Sequence, residues 1–322
     1  MTLASRPHCS GPVHRSVSPR GSQISPGRAA LVTRPGALTT VQDGGRPGFA
    51  HLGVPRSGAL DRAAAALANR LVGNPEGAAV LETTLDGVGL RLEGQAVVAV
   101  TGAKAAVRLD GRPAAWGMPV YVPGGSVLDV GRAELGARSY LAVDGGFDTP
   151  QVLGSRSTDV LSGFGPPPLT TGERLPIGWP CGPVPPVDFA PYRFPAPEIL
   201  VPLHPGPRGD WMTPAAEEAL FTRQFRVSPT SNRVALRLAG PPLERSQVEE
   251  LPSEGLVWGS VQLVASGQIL VFLADHPTTG GYPVVAVADR AAGPGCAQAR
   301  PGDAVRFQRA RPVSGQGPSR RR

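Results

Sequence analysis

Leu90-Arg-Leu-Glu-Gly-Gln-Ala96-Val-Val-Ala-Val100, Val107-Arg-Leu109-Asp-Gly-Arg112, Val120-Tyr-Val122-Pro-Gly-Gly-Ser-Val127-Leu-Asp-Val130 and Tyr140-Leu-Ala-Val143-Asp-Gly-Gly succeed one another within residues 90–146. Short β-branched runs parted by Asp-Gly and Gly-Gly pairs read as strands and turns. The strands predicted are Leu90–Leu92, Ala96–Val100, Val107–Leu109, Val120–Val122, Val127–Val130 and Tyr140–Val143, at the spacing of a barrel or sandwich. Gly 42 and Pro 37, with no collagen period, fall between such runs, so helix is the minority.

Upstream, Thr39 to Glu82 holds the densest run of polar groups set between glycines and prolines. Pro47 and Pro55 stiffen it and Gly44, Gly45, Gly48, Gly53 and Gly58 permit tight backbone, so Gln42, Asp43, Arg46, Ser57 and Asp61 project from rigid loops. Such loops suit a site, although a loop packed on a barrel end is the alternative. Leu60, Ala64, Leu67 and Leu71 form one apolar stripe of a helix, capped by Ser57 and ended by Gly73-Asn74-Pro75. Ala78 to Thr84 then reads as a strand.

Downstream, Gly154 to Pro191 is proline-rich and without period, a long connection with a boundary near residue 190. Thr213-Pro214 opens a short helix through Thr222. Strands are predicted at Ile199–Val201, Phe225–Val227, Val234–Leu238, Gln268–Leu273, Val284–Val287 and Ala304–Phe307. The expected organisation is a disordered tail over 1–30, a first β-barrel lobe with its connection over 31–190, a second over 191–308 and a disordered basic tail over 309–322. A start codon assigned too far upstream would account for the first tail, and Met1-derived peptides in the native protein would exclude that.

The net charge of +7 does not describe the body: residues 1–30 and 306–322 hold ten arginines and no acid, leaving residues 31–305 at −3. A basic face for nucleic acid is therefore not indicated. Three widely spaced cysteines argue against a disulfide framework and fit a cytoplasmic protein, and no metal-ligand spacing of His or Cys occurs. No apolar run is long enough to span a bilayer as a helix. There is no phosphate loop, no strand-linked Gly-x-Gly-x-x-Gly and no Gly-x-Ser-x-Gly elbow, which disfavours a self-contained kinase or serine hydrolase. Lys104, the chain's one lysine, reads as a solvated strand end.

Three further polar stretches stand out: His204 to Trp211, Ser228 to Arg233, and Asp275-His-Pro-Thr278-Thr-Gly280-Gly-Tyr282. In the last, paired glycines let backbone N–H groups approach an anion beside two hydroxyls; a hydrogen-bonded hairpin is the alternative.

Taken in order, Thr39-Thr-Val-Gln-Asp-x-Gly-Arg-Pro-Gly, Gly53-Val-Pro-x-Ser-Gly-Ala-Leu-Asp, Leu67-Ala-Asn-x-Leu-Val-Gly-Asn-Pro, Val152-Leu-Gly-Ser-Arg-Ser-Thr, Val227-Ser-Pro-x-Ser-Asn-Arg, Thr278-Thr-Gly-Gly-Tyr-Pro and Arg300-Pro-Gly-Asp resemble the family of 5-oxoprolinase C subunits. This carboxyltransferase-domain family is also called KipA or allophanate-hydrolase-subunit-2-like, and the resemblance covers about residues 31–308. It implies a mainly β fold of two tandem cyclophilin-like barrels and a cytoplasmic protein working with A and B partner subunits. It further implies ATP-dependent opening of 5-oxoproline to glutamate. The related alternatives are carboxyl transfer from carboxybiotin to urea or a similar amide, and a KipA-like regulatory binding role. Three departures are Gly44 where leucine is common, His276 where glutamine is common, and Val234-Ala-Leu in place of Met-Gly-Tyr.

With that resemblance, one cleft is expected to gather Asp43, Asp61, Glu82 and Asp275 as catalytic carboxylates. Substrate would be held by Gln42, Arg46, Asn69, Asp210, Asn232, Arg233, Thr278, Thr279, Gly280, Gly281 and Tyr282. Arg46 or Arg233 would fork a substrate anion, and the Gly280-Gly281 amides would hold an oxyanion. Asn69, opposite the leucine stripe, is otherwise a solvent-facing residue. ATP would bind here or on a partner, and biotin only under the carboxyl-transfer alternative.

Overall fold

Alternation of apolar and polar positions gives each sheet a buried face, and a computed structural model shows how the faces close. It describes residues 28–311 apart from 188, 189, 193, 195, 197 and 248. The first lobe contains β1 (Ala29–Arg34), β2 (Thr39–Gln42), β3 (Val80–Thr84), β4 (Gly89–Leu92), β5 (Ala96–Leu109), β6 (Arg112–Ala114), β7 (Val120–Val122), β8 (Val127–Val143) and β9 (Arg174–Pro176). The second contains β10 (Glu198–Pro205), β11 (Gln224–Val227), β12 (Ala235–Ala239), β13 (Glu254–Gly255), β14 (Ser260–Leu263), β15 (Ile269–Phe272), β16 (Thr279–Gly280), β17 (Val284–Ala288) and β18 (Ala304–Arg309). The helices are α1 (Arg62–Leu71), α2 (Pro214–Thr222) and α3 (Gly293–Ala297).

The expected mainly β fold with few short helices is what the chain adopts. The first lobe is a nine-stranded half-barrel in the order β2-β3-β8-β4-β1-β9, with β5 joined to β8 and carrying β6 and β7. The second is a closed barrel, β10-β17-β14-β15-β12-β11-β18, sealed by parallel pairing of β10 with β18. Phe225, Phe307, Val261, Val271, Leu238 and their neighbours fill it, each buried side chain contributing roughly 1.5–3 kcal/mol.

Two pairs of predicted strands are single long strands. Residues 96–100 and 107–109 are both in the 14-residue β5, and 127–130 and 140–143 both in the 17-residue β8. Bulges between Gly102 and Val107 bend the β5–β8 pair without ending it. Gly102 permits this, having φ 82, and a Cβ there would lie 2.4 Å from the Arg138 carbonyl. Lys104 thus lies within β5, near Glu134 at 3.8 Å, and is not a strand end. The expected connection contributes β9, which pairs with β1, and buries Ser157, Thr158 and Asp159.

Arg28 to Ala30, expected in the disordered tail, belong to the fold: β1 starts at Ala29, and Arg28 donates to Asp144 at 2.5 Å. Arg309 likewise ends β18. Residues 1–27 and 312–322 of the expected tails lie outside the described residues.

Helix α1 lies on the half-barrel through Ala64, Ala65 and Ala68, whose small side chains let it approach β5 and β8 closely. Its cap is Asp61, which accepts from the Ala64 N–H at 3.0 Å, and not the expected Ser57. Helix α2 has the expected cap, Thr213, and the expected span. The lobes meet where Leu60 enters the second lobe's core and where Gln298, after α3, accepts from the Ala137 and Arg138 N–H groups of β8 at 3.0 Å each.

Candidate active site

The stretch after β2 is held from below by Asp43. Its carboxylate accepts from Gly45 N–H at 2.8 Å and from the Ser155 hydroxyl, the Ser157 hydroxyl and Arg156 N–H at 2.6 Å each. Arg46, 1% exposed, donates to the carbonyls of Val152 and Ser157, and its backbone N–H pairs with the Arg56 carbonyl. Gln42 donates to the Thr158 carbonyl at 3.0 Å. Their hydrogen bonds tie the 43–58 loop to the 152–159 segment, which makes both rigid.

Above them a chain of buried charges crosses between the lobes. Arg233, on the turn before β12, forks Asp275 with Nε–Oδ2 2.8 Å and Nη2–Oδ1 2.9 Å. It also donates from Nη1 to Glu82 and from Nη2 to the Gly58 carbonyl at 2.7 Å. The other Glu82 oxygen accepts from Leu60 N–H and from the Tyr140 hydroxyl, both at 2.9 Å. Burial opposes the Arg233 charge, but Asp275 and Glu82 outweigh it and hold the guanidinium above its ordinary value. Arg138, 3.7 Å from Glu82, is drawn below its ordinary value by burial, with Glu82 opposing. Tyr140 stays protonated, its hydroxyl raised by burial and by Glu82.

Asp61 joins the chain through its N–H, which donates to the Tyr140 hydroxyl at 2.7 Å; its carboxylate accepts from Gln298 at 3.0 Å, and burial raises its carboxyl above the ordinary 3.8. Below pH 3.8 native and unfolded chains both hold this proton; above it the unfolded chain releases it first, so the native state loses relative stability as pH rises through the raised value. Urea unfolding of the protein and of D61N across pH 3.5–7 should therefore show their stability difference moving in favour of D61N as pH rises. A constant difference would mean that Asp61 titrates normally in the native state.

Where the lobes face each other, a cavity of about 480 Å³ opens. Its first-lobe wall is Ala50, Pro55, Arg56, Ser57, Ala59, Leu60, Arg62 and Ala63, and its second-lobe wall is built from Leu256, Val257, Trp258, Ala274, His276, Thr278, Arg290, Gly293 and Pro294. Ser57 lies on this wall at φ 54, a left-handed conformation costing a β-carbon-bearing residue about 1–2 kcal/mol. Its hydroxyl lies 2.6 Å from Asp275 Oδ1 and 3.0 Å from the Thr158 carbonyl, so its proton is committed and its lone pairs remain. His276 Nδ1 is 2.7 Å from the Pro277 carbonyl, which only accepts, so Nδ1 carries the proton and Nε2 is a bare acceptor in the neutral ring. Burial lowers His276 below 6.5, which keeps it neutral.

Of the residues expected at one cleft, the structure gathers Glu82, Arg233 and Asp275 into the charge chain, links Asp61 to it, and puts Thr278 on the cavity wall. Gln42, Asp43 and Arg46 support the loops beneath and do not line the cavity. Asn69 is buried, neither solvent-facing nor in a cleft: it donates to the Glu76 and Ala78 carbonyls and ties the turn after α1. Asp210 lies in an exposed turn, and Asn232 caps its own turn by accepting from Val234 N–H. Thr279 and Gly280 pair as β16 with β13, and Gly281 and Tyr282 are exposed beyond it. Ser57, expected to project from a loop that suits a site, and His276, noted as a departure from glutamine, were given no catalytic or binding role among the expected site residues.

Residues 52–309 match the family described as carboxyltransferase domain, subdomain A and B. The chain belongs to the carboxyltransferase-domain family. This carboxyltransferase domain is 39% identical over 258 residues to the C subunit of Escherichia coli 5-oxoprolinase, covering 79% of the chain and 83% of that protein. It is 33% identical over 303 residues to the urea amidolyase of Lachancea kluyveri, covering 86% of the chain but only 16% of that protein. The solved structure of TTHA0988 superposes with a TM-score of 0.80 at 36% identity over 90% of the chain, which spans 57% of that longer chain. Among the described residues of the carboxyltransferase domain, no helix is long and apolar enough to cross a membrane.

Proposed function

We propose that the protein is the C subunit of an ATP-dependent 5-oxoprolinase that opens the 5-oxoproline lactam to L-glutamate in the cytoplasm together with A and B subunits. The observation that carries this reading is the 39% identity to the Escherichia coli protein across most of both chains. The cavity supports it with groups suited to a lactam. Water adds to the ring carbonyl, the C–N bond breaks, and the nitrogen leaves protonated as the amine of glutamate. His276 Nε2 accepts a hydrogen bond from the attacking water and orients it, the Ser57 oxygen accepts from the lactam N–H, and the Thr278 hydroxyl donates to the carbonyl oxygen as charge develops. Asp275 acts through Ser57, and Glu82 through Arg233.

The chain carries no phosphate-loop signature, and its one lysine, Lys104, lies on β5 beside Glu134. ATP is assigned to one of the partners. Glutamate release from 5-oxoproline and ATP should require the purified chain and both partners in one mixture. Release by the chain alone would remove the dependence on partners from this reading.

Because glutamine also presents an acceptor at its tip, H276Q should retain activity within about tenfold, whereas H276L should lose about 10²-fold. The reconstituted enzyme should lose activity as pH falls through the lowered His276 value, below 6.5, and H276Q should lack that acid limb. An unchanged limb in H276Q would place the titrating group elsewhere.

One observation favours a second reading. The wall of Leu256, Val257, Trp258 and Pro294 is larger than a five-membered lactam needs, and the urea amidolyase match allows carboxyl transfer. Those residues would hold the ring of biotin, which when carboxylated supplies the carboxyl group. Avidin should abolish activity under this reading and leave the oxoprolinase untouched.

A further inference from the structure

Arg46 and Arg233, the arginines expected to fork a substrate anion, are each 1% exposed and bonded into the site's framework, Arg46 to the Val152 and Ser157 carbonyls and Arg233 to Asp275, Glu82 and the Gly58 carbonyl. Three other arginines line the cavity itself: Arg56 from the loop before α1, Arg62 at the first position of α1, and Arg290 from the turn leading into α3. They come from both lobes. All three are exposed, and among the described residues none of them forms an ion pair. The hydrogen bond of Arg62 is a long one, 3.4 Å to the Gly44 carbonyl.

The acids nearby are turned to other partners. Asp275 is forked by Arg233, Asp289, adjacent to Arg290 in sequence, accepts from Ala291 N–H at 2.8 Å and pairs with His204 at 2.9 Å, and Asp159 is buried with its Oδ1 accepting from the Leu161 and Ser162 N–H groups at 2.9 and 3.2 Å. His276 on the cavity wall is neutral, so it neither offsets nor adds to the three charges. Arg62 is drawn below its ordinary value by partial burial and then by the charges of Arg56 and Arg290, which places the three within mutual repulsion. In a body whose charge over residues 31–305 is −3, three mutually repelling cations collected at one cavity mouth have an unmet need for a counter-charge.

We infer that this mouth is an oxyanion-recognition site, in which Arg56, Arg62 and Arg290 take the carboxylate of a ligand whose uncharged ring lies against Leu256, Trp258 and Pro294. The guanidinium forks suit a carboxylate or a phosphate, and the apolar wall adds a surface for an uncharged ring that a bare anion would leave uncovered. This rests on the oxoprolinase reading for the identity of the ligand, since 5-oxoproline joins a carboxylate to an uncharged ring, but not for the anion site.

The test is calorimetric binding of three probes to the full chain: 5-oxoproline, 2-pyrrolidinone (the same lactam without its carboxylate) and inorganic phosphate. The wild type should bind 5-oxoproline at least about tenfold more tightly than 2-pyrrolidinone, phosphate should compete with it, and added salt should weaken both anions. R62Q and R290Q, one from each lobe and both at exposed positions, should each lower affinity for 5-oxoproline and phosphate by about tenfold and leave 2-pyrrolidinone unchanged. Arginine-dependent binding of phosphate without binding of 5-oxoproline would uphold the anion site and sink the lactam reading. Equal binding of the anions to wild type and both variants, or no binding of either anion to the wild type, would overturn the site.

Discussion

R233M should unfold with about 3–5 kcal/mol less free energy than the wild type, the loss expected when one partner of a buried charge network is removed. Arg233 and its partners Glu82 and Asp275 are at most 1% exposed, so neither carboxylate can turn to water when the guanidinium is gone. Its four hydrogen bonds, to Glu82, both oxygens of Asp275 and the Gly58 carbonyl, join β3, the loop before α1 and the strand end after β15. The lesion therefore falls on the junction between the lobes, and the melting temperature should drop by roughly 10 °C. Adding E82Q and D275N to R233M removes the stranded charges and should recover much of the loss, because neutral amides in those places no longer oppose one another across a dry gap. Denaturant unfolding of the three proteins checks both statements. A cost below about 1 kcal/mol for R233M would mean that water reaches these carboxylates.

The same residue marks the limit of what the sequence discloses. Asn232 and Arg233 stand side by side in one motif, yet Asn232 is exposed and caps its own turn while Arg233 is buried against Glu82, 151 positions away. Local pattern speaks for the first, whose bond is to Val234, and is silent on the second, whose partner is chosen by how two lobes close. Helix α2 is legible to its cap because Thr213-Pro214 carries both signals in adjacent residues. The α1 cap is ambiguous in sequence because Ser57 and Asp61 both precede the apolar stripe, and tertiary contacts decide between them: Tyr140 takes the Asp61 N–H, and Asp275 takes the Ser57 hydroxyl. The continuity of β5 and β8 is hidden by Gly102 and by Gly136-Ala-Arg138-Ser139. There β8 is buried on both faces, under α1 and Gln298, so alternation vanishes while the strand goes on. Asn69 is legible as polar and opposite the stripe, but its burial depends on the turn that folds back over it.

S57A and S57G should separate the chemical role of Ser57 from its conformational one. Both delete the hydroxyl 2.6 Å from Asp275, so both should lower glutamate release by the reconstituted enzyme by about 10²–10³-fold, as loss of a positioned polar group at the reacting centre does. Their stabilities should differ. Alanine keeps the left-handed strain at φ 54 and loses a hydrogen bond to a charged group, a cost of about 1.5–3 kcal/mol. Glycine loses the same bond but relieves roughly 1–2 kcal/mol of strain, so S57G should unfold close to the wild type and about 1–2 kcal/mol above S57A. On these figures a residue serving stability alone would gain little from serine over glycine, at that φ and beside Gly58. Serine at this position retains a strained backbone in exchange for a hydroxyl on the cavity wall, the pattern expected where function rather than folding sets the side chain. If S57G keeps full activity in the reconstituted enzyme, the hydroxyl has no part in the reaction and the Asp275–Ser57 pair is only a structural joint between the lobes.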